Sequence, residues 1–272
     1  MKTSLNFTSF IFDKLCQFPD SIGLKVDDEK FSYKQIIKYS LQTAAVLKNL
    51  GAKKEAIGLI GQRSASSYFA VLGIIFSGCH YVPINPKYNL DKQVKIIQDS
   101  KIRILVGSRE DLELFNAALD IKSRESIEAW VIPYGKLDFN DERWFDETTL
   151  DNISMLDEPE SEDVSHLTYI MYTSGSTGHP KGVLVSQDNL LAWLKNMTVL
   201  YCMDKGFRAS QTYDLSFDLS VADIFFTFSN HGMLCVLNEK ELLLPMDYIV
   251  RDNIEYWSSV PTLIAFMHKM GV

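Results

Sequence analysis

The run Thr173-Ser174-Gly175-Ser176-Thr177-Gly178-His179-Pro180-Lys181-Gly182 concentrates groups suited to a polyphosphate. Its three glycines allow tight backbone curvature and close approach of a ligand. Four hydroxyls and the exposed backbone N–H groups can donate to phosphate oxygens, and Lys181 adds a compact positive charge. The spacing is not that of the common P-loop, G-x-x-x-x-G-K-[ST]. Composition by itself fits a flexible Ser/Gly surface turn equally well. Downstream, Phe217-Asp218-Leu219-Ser220-Val221-Ala222-Asp223-Ile224-Phe225 sets acidic residues in an apolar run. Read alone, Asp218 caps a turn, Ser220 and Asp223 have the S-x-x-D spacing of a helix capping box, and Phe217 is explained by core packing. Asp214 reads as solvated. The five histidines show neither metal-ligand spacing nor a nucleophile motif, so each reads as a surface or hydrogen-bonded structural residue.

The elements that must position these groups follow from periodicity. The apolar, β-branched run Leu167 to Tyr172 predicts a buried strand leading into the loop. Val183 to Val185 predicts a further strand, and Ser186 caps a helix from Gln187 to about Met197. Upstream, Ser32 caps a helix with Ile36, Ile37, Leu41, Ala44 and Ala45 on one face and Gly51 as its stop. The strand Ala56–Ile60, helix Ser67–Phe76, strand Tyr81–Ile84, helix Leu90–Asp99 and strand Arg103–Val106 then alternate with short links, the pattern of a parallel α/β sheet. Glu110 to Glu125 reads as one helical stretch, and Asp138 to Asp163 as irregular.

Composition narrows the setting. The chain has 272 residues, 46% of them hydrophobic, enough for one large domain or two modest ones. The most apolar stretch, Tyr68 to Ile84, is broken by Ser77, His80 and Pro83, and predicts no membrane span. The N-terminus shows no secretory pattern, and the four cysteines are scattered without a C-x-x-C pair, so a cytoplasmic protein is expected. The net charge of −8 is concentrated between residues 138 and 163, where eleven acidic side chains accompany one arginine, the composition of a solvated connector. No basic stripe of the kind that nucleic-acid binding requires is present.

The twelve-residue run Tyr172 to Val183, Y-T-S-G-S-T-G-x-P-K-G-V with one variable position, resembles the signature of the adenylate-forming superfamily, which includes acyl-CoA synthetases, luciferases and the adenylation domains of non-ribosomal peptide synthetases. Ser77 to Asn85 resembles the upstream "A-G-x-x-Y-V-P-I-D" segment and Val260-Pro261-Thr262 the downstream "V-P-S" turn. Gln187 departs from the histidine that many relatives have there. Phe217 to Phe225 is similar to the "F-D-x-S-V-x-x-I/L-F" segment of amino-acid-activating members, and to D-alanine-activating enzymes in particular. The resemblance implies that Thr173, Ser174, Gly175, Ser176, Thr177, Gly178 and Lys181 hold the β- and γ-phosphates of ATP, with Mg²⁺ assisting. It implies that Asp218 pairs with the α-ammonium group of an amino acid, and that Phe217, Leu219 and Ala222 line the acyl pocket. A phosphopantetheinyl carrier protein is the expected acceptor of the activated amino acid.

The same resemblance sets expectations for organisation. The fold is expected to be α/β, layered sheets with flanking helices, an incomplete large N-terminal domain of the adenylate-forming fold. Roughly residues 64–200 would form one unit containing the phosphate loop. Residues 1–63 with 201–272 would form a second, incomplete unit that exposes apolar surface. No match to the family's "Y-G-P-T-E" segment, "T-G-D" aspartate or catalytic lysine of the C-terminal lid domain is found, so the sequence reads as a fragment expected to adenylate poorly alone, with no catalytic side chain to assign. Two other readings stay open: an acyl-CoA synthetase-like ligase of a non-amino acid, and a non-catalytic nucleotide-binding remnant.

Overall fold

The computed structural model describes residues 6–160, 165–174, 180–243 and 245–269. The described chain opens with α1 (Phe7–Cys16), the hairpin β1 (Ile22–Val26) and β2 (Glu29–Ser32), and α2 (Tyr33–Asn49). Strand and helix then alternate through β3 (Ala56–Ile60), α3 (Ala65–Phe76), β4 (His80–Ile84), α4 (Leu90–Asp99), β5 (Ile104–Gly107), α5 (Arg109–Ala118), α6 (Ile121–Glu125) and β6 (Ala129–Val131). Next come β7 (Trp144–Phe145), α7 (Glu147–Asp151), the pair β8 (Leu167–Ser174) and β9 (Pro180–Ser186), α8 (Gln187–Tyr201), β10 (Arg208–Gln211), α9 (Asp218–Ser229) and β11 (Met233–Val236). α10 (Glu239–Leu243), α11 (Pro245–Asp252) and α12 (Pro261–Lys269) follow.

The strands form a seven-stranded sheet, ordered β7-β6-β5-β3-β4-β8-β9, and a four-stranded sheet, ordered β10-β11-β1-β2. Both are parallel but for one edge strand each, β9 and β2. The alternation of strand and helix predicts the parallel part from β3 to β6, because each crossover there carries a helix, whereas the parallel step from β6 to β7 is made without one. It does not show that β9 runs antiparallel to β8, which the short link between them enforces, since a parallel return needs a crossover of a dozen residues or more.

α3 explains how the layers join. Every one of its residues is buried, and it lies against β3, β4 and β5 on one side and α2 on the other. A helix apolar all round belongs in the middle of a core. One cluster of buried side chains therefore runs from Leu24 and Leu234 of the smaller sheet through Leu47, Phe69 and Leu72 to Ile57 and Val106 of the larger. Each fully buried Leu or Phe contributes about 1.5–3 kcal/mol. α4 and α5 cover the opposite face of the larger sheet with Ile96, Ile97, Leu112 and Phe115. The predicted caps form as expected: Ser32 and Gln35 make a reciprocal capping box on α2, and Ser186 and Asn189 make another on α8. No helix among the described residues is long and apolar enough to cross a membrane.

Local expectations fail in four places. The stretch from Glu110 to Glu125 is broken at Leu119, which turns extended, and the Asp120 carboxylate accepts the Ser123 N–H to start α6. That side-chain cap offers the backbone an alternative to continuing the helix. The acidic region is not wholly irregular: Trp144 stacks on Trp130 at 5.0 Å between ring centroids, and Asp146 caps α7 while accepting the Leu137 N–H. A two-residue strand is too short for periodicity to reveal. Ser220 and Asp223 form no capping box, because α9 begins at Asp218 and both lie inside it. Asp214 is not simply solvated either, since Arg63 stands 3.5 Å from it.

Candidate active site

The strand β8 carries two sets of side chains by its twofold alternation. Ile170 and Tyr172 pack among the side chains under α4 and α5, whereas Tyr169 and Met171 join the core on the other face, and Thr173 continues that second set. Tyr172 is anchored there, its hydroxyl donating to the Asp99 carboxylate and lying 2.7 Å from the Ser100 hydroxyl. These contacts tie the end of α4 to the strand that enters the loop. Across the hairpin, Tyr169 pairs with Val185, Met171 with Val183 and Thr173 with Lys181. Directly paired residues share a face, so Lys181 stands beside Thr173.

Facing this hairpin is the turn that launches α9. The Phe217 N–H donates to Asp214 O at 2.9 Å, and the Ser220 hydroxyl reaches back to Phe217 O at 2.6 Å. Asn85, at the end of β4, donates to the Ser216 hydroxyl at 3.3 Å, and the Arg63 guanidinium donates to Thr212 O at 2.7 Å. The direction of strand addition reverses between β5 and β3, the place where an open α/β sheet ordinarily receives a ligand. Next to it, the ends of β3 and β4, at Gly61, Gln62 and Asn85, are met by Asp214, Leu215 and Ser216. Ligand-sized space lies one step along, beside β8 and β9.

A cavity of about 340 Å³ opens there, with Thr173, Met171 and Val183 of the hairpin on one wall, Ser216, Phe217 and Asp218 on another, and Tyr88 and Lys92 of the α4 entry on a third. A second space of about 280 Å³ adjoins it, lined by Trp193, Leu219 and Ala222 among others. Tyr169, Val185 and Asp218 belong to both, so Asp218 stands where the two meet. Asp218 is exposed and is the first residue of α9, whose N-cap Phe217 supplies no side-chain acceptor. The unpaired N–H groups of that helix end favour its negative charge. The Tyr169 hydroxyl is pushed up to about 12, chiefly by burial and secondarily by the charge of Asp218.

The structure thus brings Thr173, Phe217 and Asp218 to one cavity, and Leu219 and Ala222 to its neighbour. Lys181 is exposed on the same face of the hairpin as Thr173 and does not line the cavity wall. Of Ser174 only the backbone is described, and Gly175, Ser176, Thr177 and Gly178 lie outside the described residues. Thr173 and Lys181 supply a hydroxyl and an ammonium to one surface, a donor set that suits phosphate oxygens. Among the described residues no group of three His, Cys, Asp or Glu side chains is arranged to hold a metal ion, so no residue is assigned to Mg²⁺.

Sequence reasoning missed several lining residues. Tyr169 and Met171 were discoverable, because twofold alternation puts them on the face of Thr173. Tyr88 and Lys92 carry no such signal; they reach the cavity only because α4 folds against the hairpin. Asp223 was misread. Its side chain is 1% exposed inside α9, neither oxygen has a partner at hydrogen-bonding geometry, and burial raises its pKa well above the usual carboxylate range. Ser258 and the Thr212 N–H face it and offset part of that rise. The His80 imidazole, at the start of β4 and 5.9 Å from the His166 ring, has its pKa held down to about 4 by burial and then by His166.

Residues 12–271 match the family described as AMP-binding enzyme. Bacitracin synthase 3 of Bacillus licheniformis is 31% identical over 263 residues, which cover 93% of this chain and 4% of that protein. The AMB antimetabolite synthetase AmbB of Pseudomonas aeruginosa is 28% identical over 255 residues, which cover 93% of this chain and 19% of that protein. The crystal structure of the Vibrio cholerae adenylation domain AlmE in complex with glycyl-adenosine-5'-phosphate superposes with a TM-score of 0.82 at 21% identity, covering 100% of this chain and 52% of that one. The chain therefore spans a small part of these synthetases and about half of that structure.

Proposed function

The chain belongs to the AMP-binding enzyme family of adenylate-forming ligases, and we propose that it binds ATP and an amino acid and serves the activation of that amino acid as an aminoacyl-adenylate. In this reaction a carboxylate oxygen of the amino acid attacks the α-phosphorus of ATP in line, the bond from that phosphorus to the bridging oxygen breaks, and pyrophosphate leaves. Little covalent chemistry falls to the protein, whose part is to position the reactants and to balance charge. Thr173, Ser174, Gly175, Ser176, Thr177, Gly178 and Lys181 would hold the β- and γ-phosphates, and Mg²⁺ bound with the nucleotide would offset their charge. Asp218 would hold the α-ammonium group, with Phe217, Leu219 and Ala222 beside the side chain. Transfer to the phosphopantetheine thiol of a carrier protein is the proposed second step.

The observation that supports this reading best is the position of Asp218, a carboxylate at the junction of two cavities of which one is bounded by Thr173 and the other by Leu219 and Ala222. A fixed anion there answers the need of a substrate ammonium leaving water. The two sheets support a division into α/β units around 64–200 and around 1–63 with 201–272, although β3, at Ala56–Ile60, joins the larger sheet. A ligase of a carboxylic acid other than an α-amino acid is the second reading, open because the same fold serves an anthranilate CoA ligase, with a TM-score of 0.84 at 20% identity.

Amino-acid-dependent ATP–pyrophosphate exchange, with a panel containing both alanine enantiomers and the common L-amino acids, tests the proposal. One amino acid is expected to support exchange. Asp218→Ala should lower kcat/KM for it by about a hundredfold, the loss of a charge-assisted pair, while the KM for ATP stays near that of the parent. Unchanged selectivity in that variant would establish the non-amino-acid ligase instead. The same assay tests whether these 272 residues adenylate poorly alone.

A further inference from the structure

We propose that Lys92 is a second cationic binding residue of the active-site groove and holds oxyanions of the nucleotide's phosphate chain, an inference that rests on the adenylation reading above. Among the residues lining the larger cavity Lys92 is the one ammonium, and it stands on a different wall from Asp218. Its ammonium lies over the Tyr88 ring, 3.3 Å from the centroid, a contact that takes the side chain away from free solvent. No carboxylate among the described residues forms an ion pair with it. A half-buried cation that faces a cavity and lacks a protein counter-charge is set to receive an anion from outside.

Its position is also built. The Lys92 N–H is held by the Asn89 carboxamide oxygen at 2.9 Å in the first turn of α4, and the Gln93 side-chain amide donates to Tyr88 O at 2.5 Å and Pro86 O at 3.3 Å. At the other end of α4, Tyr172 joins Asp99 and Ser100 to β8, one residue before Thr173. Lys92 is therefore held relative to the strand that leads into the phosphate loop. The groove has a carboxylate at the α9 wall and an ammonium at the α4 wall, so an ammonium group is drawn to Asp218 and oxyanions to Lys92 and Thr173. A triphosphate carries more negative charge than Lys181 alone offsets, which favours the nucleotide over the singly charged carboxylate of the amino acid.

Titration of the full chain with Mg·ATP and with inorganic pyrophosphate, followed by calorimetry, tests this. Lys92→Met should weaken both by about tenfold or more, Lys92→Arg should restore most of the loss, and the KM for the amino acid should stay unchanged. The melting temperature of Lys92→Met should stay within a few degrees of the parent's, because the ammonium's protein contact is the Tyr88 ring and no carboxylate depends on it. Parental binding of both ligands by Lys92→Met overturns the inference and leaves the adenylation reading intact. A rise confined to the amino-acid KM overturns it too, by assigning Lys92 to the substrate carboxylate. If the parent chain binds neither ATP nor pyrophosphate, the adenylation reading falls and this inference with it.

Discussion

Replacing Asp223 with asparagine should make the protein more stable at neutral and alkaline pH. The carboxyl group is 1% exposed within α9, and neither oxygen has a partner at hydrogen-bonding geometry, although Ser258 and the Thr212 N–H face it. Tyr68, Tyr213 and Tyr256 lie near enough to feel its charge, and none of them supplies a positive one. Burial holds its pKa well above the value of about 3.9 expected in the unfolded chain. Between those two values the native state keeps a proton that the unfolded chain has released, so stability falls as pH rises through that window. Asparagine has nearly the same shape and no charge at any pH, and it removes this slope. Leaving a buried polar group unsatisfied costs about 1–3 kcal/mol, and more when it is charged, so the variant should lead by about 2 kcal/mol near pH 8. At about 2 °C per kcal/mol, the low end of the range for chains of 150–250 residues and the end nearest to 272, that is a rise of about 4 °C in Tm. Circular-dichroism melts of parent and variant from pH 4 to 8 check it. The curves should converge near pH 4 and separate as pH rises. A difference that stays flat across the range, or a variant less stable at pH 8, refutes the account of an unpartnered, proton-holding carboxyl.

Two other expectations follow from packing and titration. Gly107→Ala should cost more than about 3 kcal/mol, because a Cβ there would stand 1.9 Å from the Ile60 carbonyl oxygen of the neighbouring strand, and backbone cannot yield as a side chain does. A parental urea midpoint would show that β3 and β5 are not so closely apposed. His80, held down to about 4, stays neutral in the fold while the unfolded chain takes up a proton below about pH 6.5. Stability is therefore lost as pH falls from 6.5 towards 4, by up to about 3 kcal/mol, and His80→Gln should flatten that limb of the melting profile. A limb of unchanged slope in the variant would place the acid sensitivity elsewhere.

What was readable from sequence rested on local rules. The caps at Ser32 and Ser186, the length of α4 and the central parallel strands each follow from residues within a few positions of one another. The run from Tyr172 to Val183 pointed to the family because its residues are contiguous, and the match over residues 12–271 agrees. Asp218 was singled out for the same reason. Where short-range signals compete the reading failed: S-x-x-D spacing describes a cap only if the helix starts there, and α9 starts two residues before Ser220.

Tertiary structure alone decided which of these residues meet. The ends of β3 and β4 are met by Asp214, Leu215 and Ser216, held by Arg63 and Asn85 from distant parts of the chain, and the groove lies to the side, at β8 and β9. Lys92 enters that groove because Tyr172 joins α4 to β8, and Asp223 loses water because α9 is buried on nearly all sides. Periodicity records which face of an element is apolar. It holds no information on which two elements will lie against each other, because that choice is made by the summed packing of the whole core.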